Sequence, residues 1–279
     1  MKRMPRRFLK PLCIAAGFLF LIGVWYLVSL ILQSRGNYGV PYPHDTFVLS
    51  LRMLFSKDPN GEWGAKGTWQ GIGWTLLRLL IGYGVSLVAG LLFGLLAGLF
   101  PRVKDFLRPS MGLLKTIPTV AVVLMLVSIV LASGQHRNLN WIPIVLVFII
   151  SFPLIFQATA AGIDNETADV LDALKLEAGV QHPKSVLFVL LPDSWPFIRL
   201  GMAQSLGLSL KVTIMSEALM TSSAVHLGIG NLIRLSQSSS DGGLREIPAY
   251  SLIALTMMIL IDLPLLTIKA LEKKEEKEK

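Results

Sequence analysis

Long apolar stretches separated by shorter polar connections dominate this chain. A bilayer core about 30 Å thick is crossed by roughly 20 predominantly apolar residues in a helix, and runs of that length recur along the sequence. Six spans are therefore predicted, at residues 9–33, 72–100, 109–132, 141–161, 196–221 and 249–268. The pattern predicts an all-α fold, a polytopic transmembrane helical bundle of about six spans.

The connections between these spans differ in length and composition. Residues 101–108 are short and basic, and they are predicted to form a turn. Residues 34–71 form a longer loop that contains several prolines and glycines, with a short amphipathic helix predicted around Thr46–Phe55. The last connection before the C-terminal span, residues 222–248, carries few basic residues.

The polar segment 164–196 is too long to be a simple turn. Its sequence predicts a helix that ends at Gly179, where a C-terminal glycine belongs, and a second short helix that begins near Pro183. Leu191-Pro192 is predicted to end this second helix, and Ser194 to cap the next span. The first helix carries an apolar strip, which is formed by Val170, Leu171, Leu174 and Ala178. An exposed apolar strip on such a unit needs a partner.

Composition and charge agree with a membrane protein. The chain has 53% hydrophobic and 16% charged residues, whereas soluble domains carry about 25% charged residues. The net charge of +8 does not indicate nucleic-acid binding, because the basic residues flank the predicted spans. Under the positive-inside rule they place both termini, residues 101–108 and residues 162–195 on the cytoplasmic side. Cys13, the single cysteine, cannot form an intrachain disulfide.

The second predicted span carries small residues at intervals of four, which form one stripe along a helix. Small residues at this spacing let helix backbones approach closely in lipid. The stripe indicates either tight packing within the bundle or a smooth surface that slides, and the two interpretations are compatible. Its members are Gly82, Ser86, Gly90, Gly94 and Gly98.

Three ionisable residues fall at membrane depth: Lys211, Glu217 and Asp262. A charge at the bilayer centre costs about 2.5–3.5 kcal/mol on insertion scales, so such residues face a cavity or a partner. Lys211 either lines a pathway and attracts an anionic substrate, or pairs with an acidic residue inside the bundle. Because Glu217 is six residues from Lys211, these two do not share a helix face.

Other features of the spans have a plain structural interpretation beside a functional one. Pro118, Pro143 and Pro153 each interrupt a predicted span, either as fixed bends or as hinges. His136 lies in a short outer loop and is interpreted as a surface residue. The sequence contains no cluster of metal ligands and no Gly-x-x-x-x-Gly-Lys-Ser/Thr phosphate loop.

The segment 164–196 resembles the coupling loop of the inner-membrane permeases of ATP-binding-cassette (ABC) importers. That loop reads Glu-Ala-Ala, three residues, glycine, nine residues, Ile-x-Leu-Pro. Gly179, Val189, Leu191 and Pro192 keep its second half in register, whereas Asp172-Ala173-Leu174 resembles its first half shifted by one residue. The ATPase-coupling residues implied by this resemblance are Asp169, Asp172, Ala173, Leu174, Lys175, Gly179, Leu191 and Pro192.

Further motifs extend the resemblance over most of the chain beyond residue 40, and they are most similar to the nitrate, sulfonate and taurine branch. They are Val40-Pro41-Tyr42-Pro43, Thr75-Leu76-Leu77-Arg78, Ile117-Pro118-Thr119-Val120-Ala121, Phe152-Pro153, Ala161-Gly162, Ser216-Glu217 and Leu227-Gly228-Ile229-Gly230.

The resemblance implies a type I importer-like permease, a single transmembrane domain over residues 1–279 with a cytoplasmic coupling loop at residues 164–192. Two copies of the permease form the pathway as a homodimer, an ABC ATPase subunit docks on each loop, and a periplasmic or lipid-anchored binding protein delivers the substrate. ATP is bound and hydrolysed by the partner, so the chain has no catalytic residue and no cofactor. The implied location is the bacterial inner membrane.

The branch implies a small anion such as nitrate, a sulfonate or taurine as the transported solute, although its relatives also move thiamine precursors. Two other classes stay open on the residues alone. A secondary transporter driven by an ion gradient would favour inverted repeats, and the two halves of this chain show no clear similarity. A membrane enzyme would need a constellation of reactive side chains near a span end.

Overall fold

The structure is a computed structural model that describes the backbone of residues 6–36, 38–56, 67–133, 139–166, 168–177, 179–180, 182–220, 226–238 and 243–278. Side chains are described within these ranges except at residues 6–11, 168, 169, 171, 175, 177, 183, 187, 243 and 264–278. His136 and the basic residues Lys57 and Lys66 lie outside the described residues.

Of the described residues, 89% are helical and none lies in a strand, which confirms the all-α prediction. The helices are α1 (Arg6–Ser34), α2 (Pro43–Phe55), α3 (Thr68–Leu99), α4 (Pro101–Thr116), α5 (Thr119–Ala132), α6 (Ile142–Asp164), α7 (Ala168–Glu177), α8 (Pro183–Ser185), α9 (Leu191–Leu219), α10 (Ile229–Ser238) and α11 (Glu246–Glu278). A π-helical turn, Val186–Leu190, joins α8 to α9, and a 3₁₀ turn, Gly243–Arg245, precedes α11.

Four helical stretches of the described chain are long and apolar enough to cross a membrane, and a bent pair adds a fifth. The four are Leu12–Ser34, Thr68–Leu99, Ile142–Asp164 and Glu246–Leu263. The first of these has only 6% of its most apolar window buried, so its surface is available to lipid.

The bent pair corrects the predicted third span. Residues 101–108 are not a turn but the first half of α4, because Pro101 starts that helix and residues 102–108 continue it. The predicted span 109–132 is likewise not one straight helix. Helices α4 and α5 meet at 87° with Pro118 between them. Pro118 favours a break at this position, since it lacks the N–H and disfavours helical geometry in the preceding residue.

The predicted fifth span, 196–221, corresponds to α9, which is 29 residues long, ends at Leu219 and is more polar than α1, α3 and α6. Four of its hydroxyl side chains are buried and donate to carbonyls of the same helix, as Ser209 does to Ser205 and Thr213 to Ser209. Helices α6 and α9 form the most extensive helix–helix contact among the described elements. The face of α9 that carries these hydroxyls is therefore covered by protein.

The contacts divide the chain into two compact units. The first comprises residues 1–69 and 232–255. In it, α1 holds the backbone that leads into α2: Trp25 Nε1 and Ser29 Oγ both donate to the Pro41 carbonyl, at 3.2 and 3.0 Å. Helix α2 confirms the predicted amphipathic helix, and it starts with Pro43 in its first turn.

The second unit comprises residues 70–231 and 256–279. Its centre is the seam between α3 and α6, where glycines of α3 meet branched side chains of α6. A Cβ added to Gly90 would lie 2.7 Å from Ile155 Cβ, and one on Gly94 would lie 2.6 Å from Thr159 Cβ. Gly82 meets Val147 and Gly98 meets Ile163 in the same way. The buried Ser86 donates to the Gly82 carbonyl within α3.

Candidate functional site

The segment between α6 and α9 forms a bent helical unit, here called the elbow (residues 164–192). Helix α7 ends before Gly179, whose φ of +93° lies in the left-handed region that favours glycine. The Gly179 N–H donates to the Leu174 carbonyl at 2.7 Å and closes the end of α7. The chain then reverses into α8.

One face of the elbow is packed against α3. Leu174, Val186 and Leu190 form a buried apolar cluster, and Leu95 and Leu99 at the end of α3 pack on it. This cluster fixes α7 and the turn before α9 to the end of a long helix. The elbow and α3 are therefore in direct side-chain contact.

The other face of the elbow is exposed and partly apolar. Leu176 is 90% exposed and Phe188 is 73% exposed. Asp172 and Ala173 are exposed beside them. The side chains of Asp169 and Lys175 lie outside the described part of the structure, so only their position in α7 is known.

The predicted break at Leu191-Pro192 is wrong. The π-helical turn leads directly into α9, and Pro192 lies in the first turn of α9, where its missing N–H does not interrupt the helix. Leu191 is half-buried and Pro192 is exposed. Ser194 does not cap a span either, because it lies inside α9, fully buried, with its Cβ 2.8 Å from where a Cβ on Gly162 of α6 would be.

Charged residues surround the start of the elbow. The Lys104 amine of α4 contacts the Asp164 carboxylate at the end of α6. Partial burial, and then the nearby Asp193 carboxylate, raise the pKa of Glu166 above its ordinary value of 4.5. The elbow thus begins in a region where acidic groups lie close together.

A second constellation lies at the other end of α9, where a buried ion pair joins α3 to α9. Arg78 Nη1 donates to Glu217 Oε1 at 2.5 Å, and the two side chains are 3% and 0% exposed. Thr75 Oγ1 donates to the other carboxylate oxygen at 2.8 Å, and the Gly230 N–H does so at 3.1 Å. Every oxygen of Glu217 therefore has a donor.

The same network holds the segment that leads into α10. Arg78 Nη2 donates to the carbonyl of His226 at 2.5 Å and to Asn140 Oδ1 at 2.7 Å. Asn231 Nδ2 donates to the Glu217 carbonyl at 2.7 Å. A Cβ at Gly228 would collide with the Glu217 carboxylate, so only glycine fits there.

Glu217 was singled out from sequence as an intramembrane charge, but its partner was not identified as Arg78. The motifs Thr75-Leu76-Leu77-Arg78 and Leu227-Gly228-Ile229-Gly230 both contribute to the network. The presence of both motifs in the sequence was the only available indication that Thr75, Arg78 and Gly228–Gly230 belong to one network with Glu217. Asn140 and Asn231 carry no sequence pattern that would have marked them.

Lys211 and Asp262 do not form the ion pair considered from sequence. Lys211 is exposed on α9 and, within the described residues, forms no salt bridge. Asp262 is half-buried, and its Oδ1 lies 3.0 Å from where a Cβ on Gly207 would be. Gly207 is one helical turn before Lys211 in α9. The exposed stripe of α9 consists of Leu200, Gln204, Leu208 and Lys211.

The described residues contain no group of three metal-ligating side chains. The described residues thus offer an exposed, partly apolar face on the elbow, a buried network at the far end of α9, and an exposed cation between them.

Comparison with known proteins identifies the kind of chain that carries these features. The family model for the binding-protein-dependent transport system inner membrane component matches residues 90–275. Among curated relatives, the nitrate import permease protein NrtB of Leptolyngbya laminosa is 28% identical over 212 residues, which cover 74% of this chain and 69% of the relative. The taurine transport system permease protein TauC of Escherichia coli (strain K12) is 23% identical, covering 77% of this chain and 72% of the relative.

The glycine betaine/proline betaine transport system permease protein ProW of Escherichia coli (strain K12) is 26% identical over 197 residues, covering 70% of this chain but only 52% of the relative. The family model covers the glycine seam from Gly90 onward, the elbow, α9 and α10. The chain therefore belongs to the family of binding-protein-dependent transport system inner membrane components, the multi-pass permeases of ABC importers.

Proposed function

We propose that this chain forms the translocation pathway of an ATP-driven importer and couples to an ATPase subunit through the elbow, residues 164–192. The exposed apolar face of the elbow carries the proposal. Leu176 is 90% exposed and Phe188 is 73% exposed, although both are large apolar side chains. Leu174 and Leu190 are buried and hold the elbow against α3. A protein surface of this kind is explained by a partner that covers it.

The coupling step follows from this geometry. Closure of two ATPase subunits on ATP moves the two docked elbows together, and each elbow moves α3 and α9. The pathway then switches between inward-facing and outward-facing states. The family relationship supports a separate ATPase and a separate binding protein as the kinds of partner.

The coupling is tested by co-purification. The double variant Leu176→Asp and Phe188→Asp is expected to lose the ATPase subunit while still inserting into the membrane, because a carboxylate cannot replace the buried apolar contact. Leu176→Met with Phe188→Leu keeps the surface apolar and is the matched control. Retention of the ATPase by the aspartate variant would contradict the proposal.

The transported solute is proposed to be a small anion. Lys211 supports this, since it is an exposed cation on α9 and forms no salt bridge with a carboxylate of the described residues. A cation facing lipid is costly, so the stripe that contains Gln204 and Lys211 is expected to face water or protein. A homodimer that places this stripe of each copy along a shared pathway meets that requirement.

The orientation proposed for the dimer has both termini and the elbow in the cytoplasm. The basic residues of α4 and of the C-terminal tail support it. The buried network of Arg78 and Glu217 then lies toward the outer face, where a binding protein delivers the solute. Accessibility of cysteines introduced on the elbow to a membrane-impermeant reagent, from inside but not outside, tests the orientation.

A further inference from the structure

A cavity of about 380 Å³ lies in the first unit, between the end of α1, helix α2 and the 3₁₀ turn before α11. This volume is within the range of about 300–1,000 Å³ that is usual for small-ligand sites. Its polar lining comes from Gln33, Asp45, Arg52 and Arg245. None of these residues belongs to the elbow, to the network around Glu217 or to the stripe of Lys211.

The charge of this cavity is positive. Two guanidinium groups line it against one carboxylate, that of Asp45, which itself lies 3.4 Å from His44 Nε2. Within the described part of the chain, neither arginine forms an ion pair, and the guanidinium carbon of Arg245 lies 6.0 Å from the centre of the Tyr38 ring. Guanidinium groups match the geometry of phosphate oxygens, to which they donate paired hydrogen bonds.

The surfaces on either side of the cavity are apolar and exposed. Helix α1 presents its spanning residues, Leu12–Ser34, almost entirely outward. Helix α2 exposes a row of large apolar side chains, formed by Phe47, Val48, Leu51 and Phe55. A helix with one such face lies in the plane of the membrane interface.

A cluster of aromatic side chains lies next to the start of α2, which lines the cavity. Tyr26, Tyr42 and His44 stack with ring centres 5.6–6.0 Å apart, next to the start of α2. Tyrosines concentrate at the height of lipid headgroups. The cavity therefore opens where a headgroup would meet it, with acyl chains accommodated along α1.

We propose that this cavity binds the headgroup of an anionic phospholipid of the phosphatidylglycerol type. Arg52 and Arg245 donate to the phosphate oxygens, and the Asp45 carboxylate accepts a hydrogen bond from a glycerol hydroxyl. The bound lipid ties the end of α1, helix α2 and the start of α11 together. The proposal does not depend on ATPase coupling or on the transported solute.

The test uses the full-length protein in nanodiscs, with lipids that remain bound counted by native mass spectrometry. Phosphatidylglycerol is compared with phosphatidylcholine and phosphatidylethanolamine as the competing lipid. Removing one basic residue near an anionic headgroup weakens binding about five-fold, so R52Q/R245Q is expected to lose about 25-fold in affinity for phosphatidylglycerol. Arg35→Gln, which changes a nearby arginine outside the cavity lining, is expected to bind as the unaltered protein does.

Several results would overturn the proposal. Undiminished phosphatidylglycerol binding by R52Q/R245Q is one, and equal retention of all three lipids is another. Displacement of the lipid by millimolar inorganic phosphate would assign the cavity to a free anion instead. A last result would assign the cavity to a carboxylate of the binding protein. In that case R52Q/R245Q would no longer dock the binding protein in phosphatidylcholine nanodiscs, while its binding of phosphatidylglycerol would be unchanged.

Discussion

Arg78 and Glu217 are 139 residues apart in sequence and meet in a hydrogen-bonded ion pair that water does not reach. The pair joins α3 to α9, and through Gly230 and the His226 carbonyl it also fixes the entry to α10. Three separate parts of the chain thus depend on one carboxylate. Its loss leaves a buried guanidinium without a counter-charge.

Glu217→Gln and Arg78→Met are each expected to destabilise the protein strongly, by about 3–5 kcal/mol, because each leaves one buried charge unpaired. Thermal unfolding of the purified protein in detergent measures the effect.

The double variant Arg78→Met with Glu217→Gln completes the cycle. It removes both charges, so it is expected to be less destabilised than the sum of the single variants. Strictly additive losses would show that the two side chains act independently.

Gly94→Ala is expected to destabilise the protein by about 1–3 kcal/mol, the usual range for overpacking. The added methyl would lie 2.6 Å from Thr159 Cβ and 2.8 Å from the Phe156 carbonyl, and that backbone atom cannot move aside easily. Gly84 lies on the same helix with no atom within 4 Å of an added Cβ. Gly84→Ala is therefore the control, and equal destabilisation of both variants would contradict close packing at the seam.

Gly179→Pro, or deletion of Asp172–Lys175, is expected to abolish uptake without preventing insertion. Proline cannot adopt the positive φ of Gly179 and lacks the N–H that closes α7. Gly179→Asn tolerates the left-handed conformation and is expected to retain more uptake. Uptake by proteoliposomes that contain the complete transporter is the measurement, and normal uptake by the proline variant would remove the coupling role.

Lys211→Met is expected to raise the KM for an anionic solute by about ten-fold or more, as a charge-assisted contact contributes about 1.5–3 kcal/mol. Lys211→Arg keeps the charge and is expected to have a much smaller effect. Transport kinetics at several solute concentrations separate the two variants. An unchanged rate and substrate range in the methionine variant would exclude Lys211 from the pathway.

Glu166→Gln is expected to stabilise the protein at neutral pH but not in acid. Because the folded state raises the pKa of Glu166, the charged carboxylate is disfavoured once the pH exceeds the ordinary value of 4.5, and this cost grows until the raised pKa is passed. Below both values the glutamate is neutral and resembles glutamine. Unfolding temperatures of both proteins between pH 4 and 8 test this, and a constant difference would contradict it.

Apolar periodicity was sufficient to predict the all-α bundle, since α1, α3 and α6 are simple apolar stretches. The elbow was predicted through one glycine, Gly179, because a positive φ strongly restricts the residue type. Proline was less informative. The same residue type ends a helix at Pro118 but starts one at Pro101 and Pro192, and local sequence does not distinguish these positions.

The ion pair could not be derived from sequence because its partners are brought together only by packing. Lys211, Glu217 and Asp262 looked equivalent along the chain, yet the structure buries Glu217 and exposes Lys211. Burial of a charge depends on which distant donor meets it. The sequence pattern that points to this site is the pair of glycines at 228 and 230, which leave room for the side chain of Glu217.

The glycine seam between α3 and α6 also constrains how this protein can evolve. Four glycines of α3 are each matched to a branched residue of α6, as Gly90 is to Ile155 and Gly98 to Ile163. A larger residue in place of one of these glycines is tolerated only when the residue opposite it in α6 is replaced by a smaller one. Substitutions in the two helices should therefore be correlated across homologues at these paired positions, while Gly73 and Gly84 of α3, which touch nothing, drift independently.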